Sequence, residues 1–128
     1  MEGCMKELLR ILKTLSDESR LRALNLLLER ECCVCEVMQT LDISQSKASR
    51  ILSTLYDAGF LKLRKNGPWS LYSIDWEGME PYLNDMLKAT TKALKGNKQM
   101  EIDRERLKAT QRVVQNCTGK VCTEKAGF

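Results

Sequence analysis

The fold of this chain is decided by residues 34–57, which read VCEVMQTLDISQSKASRILSTLYD. Its second half, Gln45 to Asp57, predicts a helix, because four apolar residues recur at the i, i+3, i+4 and i+7 spacing of one helix face. They are Ala48, Ile51, Leu52 and Leu55. A shorter helix is predicted over Val34 to Leu41, and Asp42-Ile43-Ser44 carries turn and capping residues that separate the two. The stretch therefore predicts two helices joined by a tight turn.

The outer face of the second helix is polar and built from small residues. It lies about 200° around the helix from the apolar face at 100° per residue. Small serines let a helix approach base edges closely, while Gln45 and Arg50 offer bidentate hydrogen bonds to adenine or guanine and Lys47 offers a phosphate contact. The candidate DNA-contacting residues of this helix are Ser44, Gln45, Ser46, Lys47, Ser49, Arg50 and Ser53.

A β-hairpin is predicted directly after this helix. Phe60 to Arg64 alternates apolar and basic residues with the period of a half-buried strand, and Trp69 to Ile74 returns as a second strand. Asn66-Gly67 indicates a tight turn, although Pro68 predicts that the turn is longer or irregular. Arg64 and Lys65 then lie at the tip of this basic hairpin, where they would contact the DNA backbone or minor groove.

The remaining segments are predicted to be helical and then polar. Two helices precede the opening stretch, one over Met5 to Leu15 and one from Ser16-Asp17-Glu18 to near Arg30 or Glu31. A fifth helix contains Met79 to Leu94. We expect residues 1–96 to form the DNA-binding and dimerisation domain, and residues 97–128 to be a polar C-terminal extension with marginal helix and a loose tail.

Composition favours one compact, mainly α-helical protein with a small β-hairpin. The chain has 128 residues, 43% hydrophobic and 5% aromatic, with a net charge of +4 and the basic excess concentrated between residues 42 and 65. No signal-peptide pattern is present and no window approaches about 18 apolar residues. We expect a cytoplasmic protein whose six cysteines, in a reducing compartment, serve as metal ligands or redox centres rather than structural disulfides.

A short helix, a turn, a helix with a small polar face and a basic hairpin together predict a winged helix-turn-helix that places its second helix in the major groove. Three segments, Leu15 to Leu21, Ser44 to Arg50 and Asp57 to Leu61, resemble the ArsR family of metalloregulatory repressors. The resemblance implies a homodimer with the first and fifth helices at the interface. It also implies two recognition helices on an inverted repeat of double-stranded operator DNA, and a repressor that is released by its ion.

The cysteine cluster Glu31-Cys32-Cys33-Val34-Cys35-Glu36-Val37 resembles the family's arsenic-sensing signature Glu-Leu-Cys-Val-Cys-Asp-Leu. This likeness assigns Cys33 and Cys35 as paired thiolate ligands of As(III) or Sb(III), both of which favour sulfur. The sequence contains no histidine, which argues against the zinc, nickel and cobalt sensors of the family. Cd(II) and Pb(II) remain open.

The third ligand is open, because Met38 stands where some family members have a further cysteine. Candidates are Cys32, Cys4, Cys117 and Cys122, and two thiolates alone are a further option. Residues two apart on an ideal helix point about 200° apart, so binding to Cys33 and Cys35 is expected to unwind that turn and distort the third helix. That distortion would move the DNA-reading face.

Three alternatives compete with a metalloid-responsive repressor. A thiol redox sensor would use cysteine oxidation as its switch. A small reductase would need a catalytic group, but the sequence offers neither a phosphate-binding loop nor a histidine base, so we expect no enzyme. The third alternative is a winged-helix module that interacts with other partners without binding DNA. In such a module, Arg50→Ala would not change any affinity for DNA.

Overall fold

The computed structural model describes residues 3–115 and 121–123. In these ranges the chain forms six helices and five short strands. The helices are α1 Met5–Leu15, α2 Glu18–Glu29, α3 Val34–Leu41, α4 Gln45–Asp57, α5 Pro81–Ala93 and α6 Lys98–Lys108. The strands are β1 Cys32–Cys33, β2 Leu61–Asn66, β3 Trp69–Ile74, β4 Val113–Gln115 and β5 Val121–Thr123.

Helices α3 and α4 begin and end at the predicted residues. An N-cap residue with extended backbone angles precedes each of them. Ser44 precedes α4 and its side chain accepts a hydrogen bond from the backbone N–H of Lys47 at 3.1 Å. Asp42 ends α3 in the left-handed conformation with φ of 55°, which lets the chain turn sharply between the helices. The core packs around α2, α3, α4 and β3, with Leu26, Leu52 and Phe60 fully buried.

The hairpin is a tight two-residue turn with a third strand at its edge. Asn66 pairs with Trp69, and Gly67 adopts a positive φ of 61°. Glycine in the first turn position suits this geometry and Pro68 supplies the negative φ of the second, so the prediction of a longer or irregular turn is wrong. Strand β1 was not predicted, and it completes an antiparallel sheet in the order β1-β3-β2. The fold is a winged helix-turn-helix, mainly α-helical as predicted.

Helix α6 packs against the body of the protein. It contacts α2 and α3, and Leu107 belongs to the main core. Asp103 is fully buried, and Arg22 of α2 donates two hydrogen bonds to its carboxylate at 2.8 and 2.9 Å. A buried carboxylate needs such a partner, so this ion pair fixes α6 against α2.

Helix α1 presents an apolar face to solvent. Met5, Leu8, Leu9 and Leu12 are 76%, 41%, 48% and 45% exposed, and Tyr82 at the start of α5 is 36% exposed. Large apolar side chains gathered in this way indicate a surface for another protein. Of the helices in the described ranges, none has the length and apolar character needed to cross a membrane.

Candidate functional site

Cys33 and Cys35 meet at the N-terminal end of α3. Cys33 is the N-cap residue, with extended backbone angles of −87° and 168°, and the helix begins only at Val34. The two Sγ atoms are joined in a disulfide, and the Cα atoms are 5.4 Å apart. The expectation that the helix must unwind to bring the two sulfurs together is wrong, because Cys33 lies outside the helix and its side chain turns back toward Cys35.

A buried glutamate holds this end of the helix, and the sequence analysis missed it. Glu36 is 1% exposed, and its carboxylate accepts a hydrogen bond from the backbone N–H of Cys33 at 3.0 Å. Arg30 donates to the same carboxylate at 2.6 Å and Arg112 at 3.1 Å. The spacing of Cys33 and Glu36 is that of a capping box, which was the signal available in the sequence.

Apolar side chains pack against the cysteine pair. Cys33 and Cys35 are 3% and 7% exposed and pack with Trp69, Leu71 and Val113. A cavity of about 180 Å³ lies beside them. Its other lining residues are Val34, Gln45, Pro68 and Ser70. The cavity therefore touches both the first residue of α4 and the turn of the hairpin.

Neither Cys32 nor Cys4 is brought to the pair. Cys32 faces the main core, is fully buried, and burial raises the pKa of its thiol to about 12. Cys4 is exposed at the start of α1, and Cys122 lies in β5 opposite Val114. Cys117 lies outside the described residues. Within those residues no group of three or more His, Cys, Asp or Glu side chains could hold a metal ion.

The candidate DNA face of α4 is open to solvent. Ser44, Gln45, Ser46, Lys47, Arg50 and Ser53 are exposed, and Ser49 is half-buried. The apolar face of the same helix is buried, as its periodicity predicted. The helix can therefore lay this polar face in a groove without disturbing the core.

The wing carries an ion pair that reaches back toward the cysteine segment. Lys62, Arg64 and Lys65 are exposed on β2, and Arg64 forms two hydrogen bonds with the carboxylate of Glu31. The Arg64 guanidinium lowers the pKa of Glu31 by hydrogen bonding. Leu63 is 43% exposed, so the predicted half-buried strand buries Leu61 alone, and the rest of β2 projects as a wing.

Comparison with known proteins places this geometry in a family. A family model described as bacterial regulatory protein, arsR family, matches residues 17–62. The arsenic resistance transcriptional regulator ArsR2 of Pseudomonas putida is 40% identical over 84 residues, which cover 65% of this chain and 72% of that protein. A cadmium resistance transcriptional regulatory protein, the CadC homolog of Staphylococcus aureus, is 41% identical over 69 residues, covering 53% of this chain and 57% of that protein.

The crystal structure of the transcriptional repressor BigR from Xylella fastidiosa is similar in fold. Its TM-score is 0.60 and its identity is 27%, over 73% of this chain and 88% of that one. The expectation of a DNA-binding transcriptional regulator rather than an enzyme is confirmed by these relatives. The chain belongs to the ArsR family of bacterial transcriptional regulators, whose winged helix-turn-helix fold it shares.

Proposed function

We propose that this protein represses an arsenical resistance operon and leaves its operator when As(III) or Sb(III) binds Cys33 and Cys35. The observation that carries the proposal is the position of the two sulfurs. They share one cavity with Gln45 of α4 and with Trp69 and Ser70 of the wing. An ion bound there would contact both elements that face DNA.

The chemistry of the cavity favours a neutral metalloid over a hydrated divalent cation. In the reduced protein, two thiols displace two hydroxyl groups from arsenous acid, forming two arsenic–sulfur bonds and releasing two water molecules. Every species in this exchange is uncharged. Cd(II) or Pb(II) must instead shed a tightly held hydration shell and displace two protons from the thiols before it is buried beside Trp69, Leu71 and Val113. Those two ions are the alternative inducers.

In this proposal the protein leaves DNA because the bound ion contacts α4 and the wing. Helix α3 does not have to unwind. A bound ion takes space between the start of α4 and the wing turn, and it also acts on β1, which is hydrogen-bonded to wing strand β3. A ligand shifts a two-state equilibrium only through unequal affinity for the two states. We propose that the ion fits the pair best when α4 and the wing are displaced from their DNA-bound spacing.

Two thiolates are sufficient for this trigger in our proposal. Cys32 is a core residue, and its side chain lies in a different cluster from the pair. The third position on arsenic keeps a hydroxyl group or accepts a thiol of Cys117 or Cys122. The C-terminal cysteines therefore tune affinity and are not required for release.

DNA binding is assigned to the exposed face of α4 and to the wing. Gln45 and Arg50 read base edges, while Lys47, Arg64 and Lys65 bind phosphates. We propose that the exposed apolar face of α1, together with Tyr82 of α5, pairs with a second copy of the chain. The dimer would present two α4 helices to an inverted repeat in the cytoplasm.

The deciding experiment measures fluorescence anisotropy of a labelled duplex taken from upstream of the gene for this protein. Reduced protein is bound to the duplex and titrated with arsenite, antimonite and cadmium. We expect arsenite and antimonite to release wild-type protein and Cys4→Ser, and to leave Cys33→Ser and Cys35→Ser bound. Release of Cys33→Ser by arsenite would contradict the proposed site.

A thiol redox switch is the second candidate, because Cys33 and Cys35 are disulfide-bonded. Peroxide would oxidise the two thiols to the disulfide and be reduced to two water molecules. A thiol reductant of the glutathione class would reverse the step. DNA release by peroxide without metalloid, absent from Cys35→Ser, would favour this candidate.

A further inference from the structure

Residues 111–113 run alongside α3 toward its N-terminal end after α6 has ended. Gln39 and Gln111 form a reciprocal pair, in which the Gln39 amide donates to the Gln111 carbonyl at 2.6 Å and accepts from the Gln111 N–H at 3.2 Å. Arg106 of α6 also donates to the Gln39 carbonyl at 3.4 Å. The segment is thus fastened along one side of α3.

Arg112 anchors the middle of this segment to the buried carboxylate of the site. Its guanidinium Nε donates to Glu36 at 3.1 Å, and the two side chains are 13% and 2% exposed. The same carboxylate caps the backbone of Cys33. Glu36 is also paired with Arg30, so loss of Arg112 leaves the buried carboxylate less well compensated, and Arg112 therefore favours the seated position of the segment.

Val113 ends the segment directly on the cysteine pair. Its backbone N–H donates to Sγ of Cys35 at 3.5 Å, and its carbonyl accepts from the indole Nε1 of Trp69 at 3.1 Å. Val113 also lines the cavity beside the sulfurs. Cys33 and Cys35 are therefore covered on this side by the protein's own C-terminal extension.

We propose that residues 111–113 form a strap over Cys33 and Cys35, and that lifting of the strap speeds the access of an ion or oxidant to the sulfurs. Arg112 is its positioning residue. The identity of the incoming ion rests on the proposed function, but the gating of the two thiols does not. Partly exposed hydrogen bonds each stabilise only weakly, so a strap held by a few of them opens far more often than the core unfolds.

The strap is tested by the rate at which iodoacetamide alkylates each cysteine of the fully reduced protein, read by mass spectrometry of peptides. We expect Arg112→Ala to raise the rate at Cys35 about fivefold or more, the effect of roughly 1 kcal/mol on an opening equilibrium. Lys108→Ala is the matched control, because its salt bridge to Glu105 is 73% and 70% exposed on α6. An Arg112→Ala rate equal to that of Lys108→Ala would overturn the proposal.

Cys32 separates opening of the strap from unfolding, because it is fully buried in the main core. Faster alkylation of Cys35 with Cys32 still protected is the expected pattern. If Arg112→Ala also exposes Cys32, Gln39→Ala decides instead, since it removes the pair with Gln111 and leaves Glu36 with both arginines. No change at Cys35 in Gln39→Ala would then overturn the strap.

Arsenite binding to the same variants keeps the two proposals apart. Faster association of arsenite with Arg112→Ala, in step with faster alkylation, supports both the strap and the metalloid site. Faster alkylation with no arsenite binding in wild type or variant upholds the strap and removes the proposed inducer.

Discussion

Cys33 lies directly opposite Leu71 in the ladder between β1 and β3. Leu71 is fully buried, and its strand carries Trp69 at the turn of the wing. The first of the paired cysteines is therefore part of the same sheet as the wing. The backbone hydrogen bonds of this sheet therefore offer a direct connection from the cysteine pair to the wing.

Leu71→Ala should destabilise the protein by about 2–5 kcal/mol, because it leaves a cavity beneath Cys33, Cys35 and Trp69. Urea denaturation of the reduced protein measures the free energy of unfolding. Leu63→Ala is the control on the other strand of the hairpin, since Leu63 is 43% exposed. Its change should stay within about 0.5 kcal/mol, and equal losses for the two variants would contradict the packing described.

Arg50→Ala should weaken operator binding by about 10- to 100-fold, the equivalent of 1–3 kcal/mol for one bidentate base contact. Anisotropy at fixed salt measures the dissociation constant. Lys98→Ala removes the same charge from the exposed start of α6, away from α4. It should bind operator as wild type does, and equal losses would mean that Arg50 acts through net charge alone.

Glu31→Gln should strengthen DNA binding several-fold at low salt, because Arg64 loses its carboxylate partner and gains a full phosphate contact. The salt dependence should steepen by about 0.9 in the slope of log K against log salt for one added contact. Unchanged affinity and slope would show that Arg64 does not reach the duplex. Glu29→Gln is a suitable control, since Glu29 pairs with Arg104 on α6 instead.

The same ion pair makes a pH prediction for stability. Arg64 lowers the pKa of Glu31 from 4.5, so the pair stabilises the fold above that pH and the benefit is lost as pH falls through the lowered value. Because Arg64 is 57% exposed and water screens the pair, the difference in free energy of unfolding between wild type and Glu31→Gln should be small at neutral pH. This difference should vanish in acid. Unfolding of both proteins, followed by circular dichroism at each pH, measures it.

Local patterns predicted α3 and α4 to the residue, because turn and capping residues between Leu41 and Gln45 mark both boundaries. The partners of Glu36 could not be predicted in the same way. Arg112 is 76 residues away in sequence, and only the packing of α6 against α2 and α3 brings it back. Strand β1 escaped notice because two residues are too few to show a period of two.

The C-terminal cysteines provide a test of how many thiolates the switch needs. Cys117→Ser/Cys122→Ser should still leave operator DNA on addition of arsenite, because the pair at α3 lies next to α4 and the wing. The arsenite concentration needed for half release is the measured quantity, with Cys33→Ser as the negative control. Loss of release in the double variant would make a C-terminal thiolate an obligatory ligand.

Trp69 should report the state of the cysteine pair by fluorescence. It packs against Cys33 and Cys35, whereas Trp76 is 43% exposed and does not belong to that cluster. A disulfide in contact with an excited indole accepts an electron and quenches its emission, so reduction should raise the emission of wild type and of Trp76→Phe. Trp69→Phe should show no rise. A rise that persists in Trp69→Phe would mean that reduction acts at a distance from this cluster.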